Sequence, residues 1–405
     1  MIILQKYMSK PILSSRTNSL VASPIRKFLP LVRQAEKRGI KVLKINIGDP
    51  DILPPPKFFQ TLKKIKSGQV PYAPSSGLVE HVSAWQKYYA AYGLNFKPEN
   101  LLPTIGAGEA ILWSLLLVAN PNDEIIVFEP LYTNYRGFAK MAQVKLVPIT
   151  LQLADNFALP KKTEILKKIS PKTKAIIIIN PDNPTGKVWS DKELKMIVEI
   201  ARQKNLFIIA DETYREIVFT GRAKSILQQA AARPRTILID SLSKRFSLPG
   251  ARLGIIASYN LEMMSAALKL AMIRLSAPTI EQIACTPLIK DFRAYTKKIK
   301  TTYQKRSQIV NQALKKIPNV VSNTPAGAFY QVAKLPVKDT EDFIRFMLTK
   351  FSHKKQTILI SPLKDFYITP GLGKNEVRIA YVLSADKLRT AMHIFKLGLE
   401  AYLKK

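Results

Sequence analysis

Five apolar runs in the middle of the chain limit its possible folds more than any other feature. Each is six to eight residues long and rich in β-branched residues, as in strands buried on both faces of a sheet. The runs are 123–130, 173–180, 205–211, 235–240 and 253–258. Helical patterns separate them, and in 190–205 the pair Ser190 and Glu193 has the spacing of a capping box. The alternation predicts an α/β fold with a doubly wound, mostly parallel sheet.

The sequence changes in character after about residue 290. Strand-like segments at 357–361 and 376–382 are flanked there by long amphipathic helices, predicted at 291–316, 339–354 and 384–402. This pattern predicts a smaller α+β domain, and the proline-rich segment 49–57 is a candidate crossing point into the larger one. We therefore expect a large domain at 54–290 and a small domain formed by 15–53 together with 291–405.

Composition excludes several classes of protein. The 405 residues are 47% hydrophobic and 23% charged, and no apolar run reaches the roughly 18 residues needed to span a bilayer. The N-terminus has too few apolar residues for a secretory signal, and Cys285 is the only cysteine, so we expect a cytoplasmic protein without intramolecular disulfides. The three histidines have no Cys or His partner at metal-ligand spacing, so no metal site is predicted.

A net charge of +34 is the least ordinary bulk property. Such a charge suits nucleic acid, an acidic membrane surface or acidic small molecules as partners. The densest basic clusters, 161–174 and 295–306, lack the interleaved aromatic residues of a base-stacking surface. We therefore expect a solvated lysine-rich surface and no specific binding of nucleic acid.

Chemically reactive side chains follow three of the apolar runs, at the edge where an open parallel sheet binds its ligands. Asn183 follows the second run, Asp211 and Tyr214 follow the third, and Lys244 follows the fourth. Taken singly, Asn183 is typical of a turn, Asp211 of a helix cap and Lys244 of a surface cation. Their arrival together at one sheet edge favours a site that combines an amine, a carboxylate, a phenol and an amide.

An anion-binding element accompanies this group. The glycine-containing turn at 104–112 opens an apolar helix and aims backbone N–H groups at an anion, while Ser241 and Arg252 bracket Lys244. We expect Gly250 and Gly254 to permit a tight backbone path there, and Arg245 to be a surface or packing residue. Together with the reactive side chains, a phosphate cradle describes a site for pyridoxal phosphate.

Five ordered motifs then make a family resemblance specific. They are 46–51, 72–77, 180–186, 241–244 and 377–379. With these motifs the chain resembles the class I aminotransferases of the aspartate aminotransferase superfamily, which are fold-type I enzymes that depend on pyridoxal phosphate. The resemblance covers most of the chain.

The resemblance implies a role for each matching residue. Lys244 would be the Schiff-base lysine and general base, with Asp211 on the pyridine nitrogen and Tyr214 and Asn183 on the 3′-oxygen. Tyr132 would stack on the ring. The residues implied for the phosphate are Ala107, Gly108, Ser241, Arg252 and Tyr72.

The resemblance also implies how substrate and subunits are held. Arg378 would grip the substrate α-carboxylate bidentately with Asn183 beside it, and Gly48 would leave room for the substrate. Tyr72 resembles a residue that family members lend from the neighbouring subunit, which implies a homodimer. Tyr132 and Asp182 depart from the commonest pattern, which has tryptophan and asparagine respectively, and no motif identifies the residue that recognises the substrate side chain.

Three activities stay open at this point. The first is an amino-acid aminotransferase with 2-oxoglutarate as acceptor and aspartate, then alanine or an aromatic amino acid, as donor. The second is a C–S lyase, which shares the same catalytic residues. The third is a cofactor-sensing regulator, for which the roughly 40 residues before the first motif offer too little room for a DNA-binding module.

Overall fold

The computed structural model describes residues 13–18, 20, 24, 26–66 and 68–405. The helices are α1 Ser15–Asn18, α2 Leu29–Lys37, α3 Pro56–Leu62, α4 Val79–Ala90, α5 Gly106–Val118, α6 Asn134–Met141, α7 Lys162–Leu166, α8 Asp191–Gln203, α9 Leu242–Arg245, α10 Leu261–Arg274, α11 Thr279–Lys290, α12 Phe292–Lys315, α13 Thr340–Thr349 and α14 Ala385–Leu403. The strands are β1 Lys41–Lys44, β2 Leu101–Thr104, β3 Glu124–Glu129, β4 Lys145–Thr150, β5 Thr173–Ile179, β6 Phe207–Asp211, β7 Thr236–Ser241, β8 Gly254–Ala257, β9 Val321–Ser322, β10 Tyr330–Lys334, β11 Gln356–Leu359, β12 Ser361–Pro362 and β13 Glu376–Ala380.

A seven-stranded sheet forms the centre of the molecule, in the order β2-β8-β7-β6-β5-β3-β4. β8 runs antiparallel to both of its neighbours, and the other strands all run in one direction. All five apolar runs become strands of this sheet, which confirms the α/β, mostly parallel prediction. Because β7, β6 and β5 are adjacent and parallel, their carboxyl ends meet at one edge.

Consecutive residues of the central strands pack on opposite faces of the sheet. Ile177 and Ile209 belong to the hydrophobic cluster on one face, and Ile176 and Ile208 belong to the cluster on the other. Each fully buried side chain of this size contributes about 1.5–3 kcal/mol relative to an exposed one. This two-sided burial explains why the runs are continuously apolar rather than alternating.

The two edge strands were not evident from the sequence. β2 contains Pro103, which cannot donate to a sheet and is tolerated at an edge. β4 alternates less clearly because only Ile149 of its residues is fully buried. β2 has only four residues and β4 is mostly half-buried, so neither has the long continuous apolar run that predicted the central strands.

Residues near both ends of the chain form two smaller sheets. One has the order β12-β13-β10-β9, and the other pairs β1 in parallel with β11. The segment 357–361 therefore does not form the single strand expected, because its two halves join different sheets. The parallel pairing ties the N-terminal segment 41–44 to the C-terminal part of the chain.

Most predicted helices have the expected limits, with one exception. The capping box at the start of α8 is present, since Ser190 Oγ accepts from Glu193 N at 3.3 Å and Glu193 Oε2 accepts from Ser190 N at 2.8 Å. The helix predicted at 339–354 instead ends with Thr349. Lys354 and Lys355 adopt φ values of +48° and +56°, which make a tight turn incompatible with a helix. Among the described residues, no helix has the length and apolar character to cross a bilayer.

Candidate active site

The carboxyl ends of β5, β6 and β7 open into a cavity of about 660 Å³. The sequence-predicted site residues that line it are Gly48, Ala107, Gly108, Tyr132, Asn183, Asp211, Tyr214, Ser241, Lys244, Arg252 and Arg378. Tyr72 is the one predicted site residue that does not line the cavity. Other lining residues include Arg26, Asn134, Phe138 and Tyr330, which sequence reasoning did not single out.

Lys244 lies on the short helix α9, directly after β7. Ser241 caps this helix by accepting from Ser243 N at 3.1 Å, which fixes the direction of the turn. The Lys244 Nζ donates to the carbonyl oxygen of Gly48 at 2.7 Å. Burial, helped by the charges of Arg378 and Arg252 and opposed by that of Asp49, lowers the pKa of Lys244 to about 8. The amine is therefore much more easily deprotonated than a surface lysine.

Asp211 is a buried carboxylate at the end of β6. Its Oδ1 accepts from Thr213 N at 3.0 Å and its Oδ2 accepts from the hydroxyl of Tyr135 at 2.9 Å. Burial raises the pKa of Asp211, while the hydrogen bonds from Thr213 and Tyr135 lower it. Sequence reasoning missed Tyr135, although it lies in the same segment as Tyr132, in the first turn of α6.

Arg378 reaches the cavity from β13 of the four-stranded sheet. Its Nη1 donates to Asn183 Oδ1 at 2.8 Å and its Nη2 donates to the carbonyl oxygen of Asn46 at 2.6 Å. The guanidinium faces the ring of Tyr330, with 4.3 Å between Cζ and the ring centroid. Nε has no hydrogen-bond partner among the described residues. The group is thus held in one orientation with part of its hydrogen-bonding capacity unused.

Two tyrosines meet at the wall of the cavity. The hydroxyl oxygens of Tyr214 and Tyr330 lie 3.0 Å apart, and burial raises the pKa of Tyr214. Tyr330 comes from β10, for which the sequence offered no motif. Tyr132 lies nearby, where burial raises its pKa to about 12.

The start of α5 and Arg252 form one end of the cavity. Gly106 has φ +69°, and a Cβ there would lie 2.6 Å from Arg252 Nη2. A Cβ on Gly254 would lie 2.8 Å from the backbone of Gly106, so glycine is required at both positions. The expectation for Gly250 is wrong, since nothing lies within 4 Å of a Cβ placed there. The free N–H groups of the first turn of α5 and the Arg252 guanidinium make an anion cradle.

Gly48 has a different role from the one expected. A Cβ at this position would overlap the hydroxyl of Tyr330 and lie 2.8 Å from the ring of Phe329. The room that Gly48 leaves is therefore filled by Tyr330 rather than by substrate.

Arg245 is a packing residue and not a surface one. It is fully buried, and its Nη2 pairs with Asp240 Oδ2 at 2.5 Å. The guanidinium also packs on Trp85 and Tyr88, with 5.0 and 4.0 Å between Cζ and the two ring centroids. Asp240 directly precedes Ser241 at the end of β7, and Arg245 directly follows Lys244 at the end of α9, so this buried pair flanks both site residues.

Tyr72 lies on the surface, with 76% of it exposed. Its segment is tied to the α10–α11 connection, because Ser75 Oγ donates to the Leu275 carbonyl at 2.6 Å and Ala73 N donates to Thr279 Oγ1 at 3.0 Å. Within this one chain Tyr72 cannot contribute to the cavity.

Comparison with known proteins agrees with this geometry. Solved structures with the same fold include an aspartate aminotransferase from Thermotoga maritima, with a TM-score of 0.87 and 26% identity over 97% of this chain and 100% of that one. An alanine aminotransferase from Pyrococcus furiosus has a TM-score of 0.87 and 28% identity over 96% and 100%. The fold is thus that of the amino-acid aminotransferases.

The sequence comparisons place the chain in a family. Residues 40–395 match the model for aminotransferase class I and II. An aspartate aminotransferase from Pyrococcus horikoshii is 31% identical over 379 residues, which cover 91% of this chain and 94% of that protein. Aromatic-amino-acid aminotransferase 2 from Thermococcus litoralis is 28% identical over 94% and 96%. The chain belongs to the class I and II aminotransferases.

Proposed function

We propose that the protein uses pyridoxal phosphate to move the amino group of a dicarboxylic L-amino acid, aspartate first, to 2-oxoglutarate. The observation that carries the proposal is the environment of Lys244. Its pKa near 8 makes a neutral amine accessible close to neutral pH, in the same cavity as the buried carboxylate of Asp211. Covalent attachment of a cofactor and proton transfer at Cα both require an amine that is neutral near neutral pH.

The donor set of the cavity fits that cofactor. We assign its phosphate to the Ala107 and Gly108 amides, Ser241 and Arg252. A Cβ at 106 would collide with Arg252 and a Cβ at 254 with the backbone of Gly106, so glycine at both positions lets the parts of this cradle lie close together. The ring would lie against Tyr132, with Asn183 and Tyr214 on its 3′-oxygen. When bound, pyridoxal phosphate supplies an electron sink for the pair released at the substrate Cα.

The chain's own groups supply the rest of the chemistry. Neutral Lys244 takes the Cα proton and later returns one, which needs an amine that gains and loses a proton near neutral pH. Asp211 is costly as a buried anion, so a cationic ring nitrogen next to it would offset the cost. Arg378, held by Asn183 and Asn46, binds the α-carboxylate in a fixed orientation.

Arg26 is our candidate for recognition of the substrate side chain. It lines the cavity just before α2, lowers the pKa of Tyr132 electrostatically, and forms no ion pair with the described residues. A second carboxylate on the substrate would supply its counter-charge. Aspartate, glutamate and 2-oxoglutarate all carry that carboxylate, whereas alanine and the aromatic amino acids do not.

The test is a panel of amino acids added singly to the purified yellow protein, followed by 2-oxoglutarate, for the wild type and Arg26→Ala. We expect the visible band to collapse with aspartate and to return with the keto acid. In Arg26→Ala, kcat/KM for aspartate should fall about 10- to 100-fold, the effect of losing one charge-assisted bond, while that for alanine should barely change. Arg33→Ala, which removes an exposed arginine of α2 outside the cavity, is the matched control.

The possible outcomes separate the parts of the proposal. Equal losses for aspartate and alanine would remove Arg26 from side-chain recognition and leave the cofactor chemistry standing. Pyruvate release from cystathionine without a keto acid would indicate a C–S lyase. A wild-type protein that takes up no pyridoxal phosphate would overturn the proposal as a whole.

We further propose a homodimer in which Tyr72 completes the partner's phosphate site. The segment with Tyr72 and the neighbouring α10–α11 region expose Val70, Met272, Ile273 and Leu275, and such an apolar patch is typical of an interface. Light scattering should give twice the chain mass of 45.6 kDa, and Ile273→Glu should give monomers with weaker cofactor binding. Val321→Glu, which changes an exposed valine of β9 in the four-stranded sheet, should stay dimeric. A monomeric wild type with full cofactor affinity would contradict the proposal.

The domain division and the location also remain proposals. We propose a large domain at 54–290 and a small one from 15–53 with 291–405, supported by the pairing of β1 with β11, which joins the two segments of the small domain. A cytoplasmic location suits a buried Cys285 without a disulfide, and fractionation of the source cells would test it.

A further inference from the structure

A second cavity, of about 350 Å³, lies apart from the candidate active site and shares none of its lining residues. Its walls are Ala91 and Tyr92 beyond α4, the segment 215–222 beyond β6, and the first three turns of α12. Three of the α12 lining residues, Thr296, Lys297 and Lys300, belong to the basic cluster 295–306, which the sequence alone suggested was ordinary solvated surface.

The lining of this cavity is strongly cationic. Five of its side chains carry positive charge and only Glu216 is acidic; the cations are Arg215, Arg222, Arg293, Lys297 and Lys300. Glu216 Oε1 already accepts from the hydroxyls of Tyr88 and Tyr92. Within the described part of the chain, no carboxylate forms an ion pair with Arg222, Arg293 or Lys297.

Arg215 contributes a buried positive charge to the lining of this second cavity. It is only 5% exposed, and its Nη1 lies 3.3 Å from Glu212 Oε2, but neither Nη atom has a hydrogen-bond partner among the described residues. The Cζ atoms of Arg215 and Arg222 lie 4.5 and 5.7 Å from the centroid of the Tyr92 ring. Several cations are thus concentrated around a concave surface, and their mutual repulsion is relieved by a counter-anion.

We propose that this cavity binds a small oxyanion with two or more negative charges, of the phosphate or carboxylate type. Guanidinium and ammonium groups from two separate segments converge on it, as needed to hold several oxygens at once. Lys300 Nζ donates to the Gly221 carbonyl at 2.9 Å, so the segments already touch at one point. A bound anion joins Arg222 of the loop to Arg293 and Lys297 of α12.

Such an anion stabilises a segment that begins in the candidate active site. Asp211 and Tyr214 line the first cavity and Arg215 lines the second, so both depend on the same stretch of backbone. Binding at the second cavity therefore raises the stability of the folded enzyme. The inference itself does not depend on the proposed activity, and pyridoxal phosphate enters only its test, where it fills the anion cradle of the first cavity.

The test compares pyrophosphate and citrate as ligands of the enzyme saturated with pyridoxal phosphate, at constant ionic strength. We expect at least one of the two anions to raise the wild-type Tm by about 3 °C or more at saturation. The double variant Arg293→Ala/Lys297→Ala should lose that rise. Lys168→Ala/Lys172→Ala removes the same charge from exposed, unpaired lysines outside the cavity and should keep it.

The outcomes distinguish a specific anion site from a general effect of charge. A rise with pyrophosphate alone or with citrate alone supports the site and identifies the ligand as phosphate or carboxylate. Equal rises in the wild type and both double variants would indicate screening of the overall charge and overturn the site, as would no rise in the wild type. Because the ligand-induced change in Tm is compared, a lower starting stability of one variant does not affect the result.

Discussion

Replacing Lys244 with alanine should lower kcat for transamination by about 10⁴-fold or more. The expected loss is large because one side chain would supply both the covalent attachment and the proton transfer, and the latter alone is worth about 10²–10⁴-fold. Among the described residues that line the cavity, Lys244 is the only amine, and the other basic groups are the guanidinium groups of Arg26, Arg252 and Arg378. The measurement is the single-turnover rate with aspartate, at saturating pyridoxal phosphate.

Lys192→Ala is the control and should keep full activity, because it removes an exposed lysine of α8 that forms no ion pair with the described residues. Equilibrium dialysis separates loss of chemistry from loss of cofactor. A Lys244→Ala protein that binds cofactor yet keeps more than about a tenth of the activity would assign the base to another residue.

The pH dependence of covalent loading tests the same residue independently. A pKa of about 8 means that apoprotein loading, trapped by borohydride and measured by mass spectrometry, should rise with pH and level off above that value. Below it, each pH unit lowers the neutral fraction about tenfold. Asp49 raises the pKa of Lys244, so Asp49→Asn should move the midpoint to lower pH. A midpoint near 10.5 would mean that burial does not tune this amine.

The sequence predicted the sheet edge well because the central strands have a distinctive sequence pattern. Continuous β-branched runs are rare outside strands buried on both faces, and the residues after them must lie at one edge if the strands are parallel. Asn183, Asp211 and Lys244 were located in this way, before any family resemblance was used. The short or irregular strands carried no such pattern, so β2 and β4 were missed.

Residues from the smaller sheet were harder to predict for a different reason. Tyr330 of β10 pairs with Ala380 of β13, and Arg378 lies two residues before Ala380 on the same strand. The side chains of Tyr330 and Arg378 therefore lie on one face of the sheet. That register depends on long-range packing, which no local pattern encodes. The consequence was an error at Gly48, where the space assigned to substrate belongs to the Tyr330 hydroxyl.

Replacing Arg378 with lysine should lower kcat/KM about 100-fold for every amino acid tested. Lysine keeps the charge but cannot make two parallel bonds to a carboxylate or hold Asn183 and Asn46 at once. Losing one or two charge-assisted bonds of about 1.5–3 kcal/mol each gives this size of effect. Steady-state kinetics with aspartate and alanine measure it.

Arg378 is also packed between Tyr330 and Phe366, so a purely structural effect must be distinguished. Thermal unfolding and the cofactor spectrum provide that distinction, because a loss of packing lowers Tm and alters the spectrum, whereas a loss of carboxylate binding raises KM. A variant with unchanged KM and a much lower Tm would make Arg378 a packing residue.

The two arginines at the cavity can then be told apart by substrate alone. Every amino acid carries an α-carboxylate, so the loss in Arg378→Lys should be equal for aspartate and alanine, whereas Arg26→Ala should affect aspartate alone. In this proposal the two guanidinium groups hold different carboxylates of aspartate, so their effects should add in the double variant. A loss for alanine in Arg26→Ala, or strong non-additivity, would mean that both arginines act on the same carboxylate.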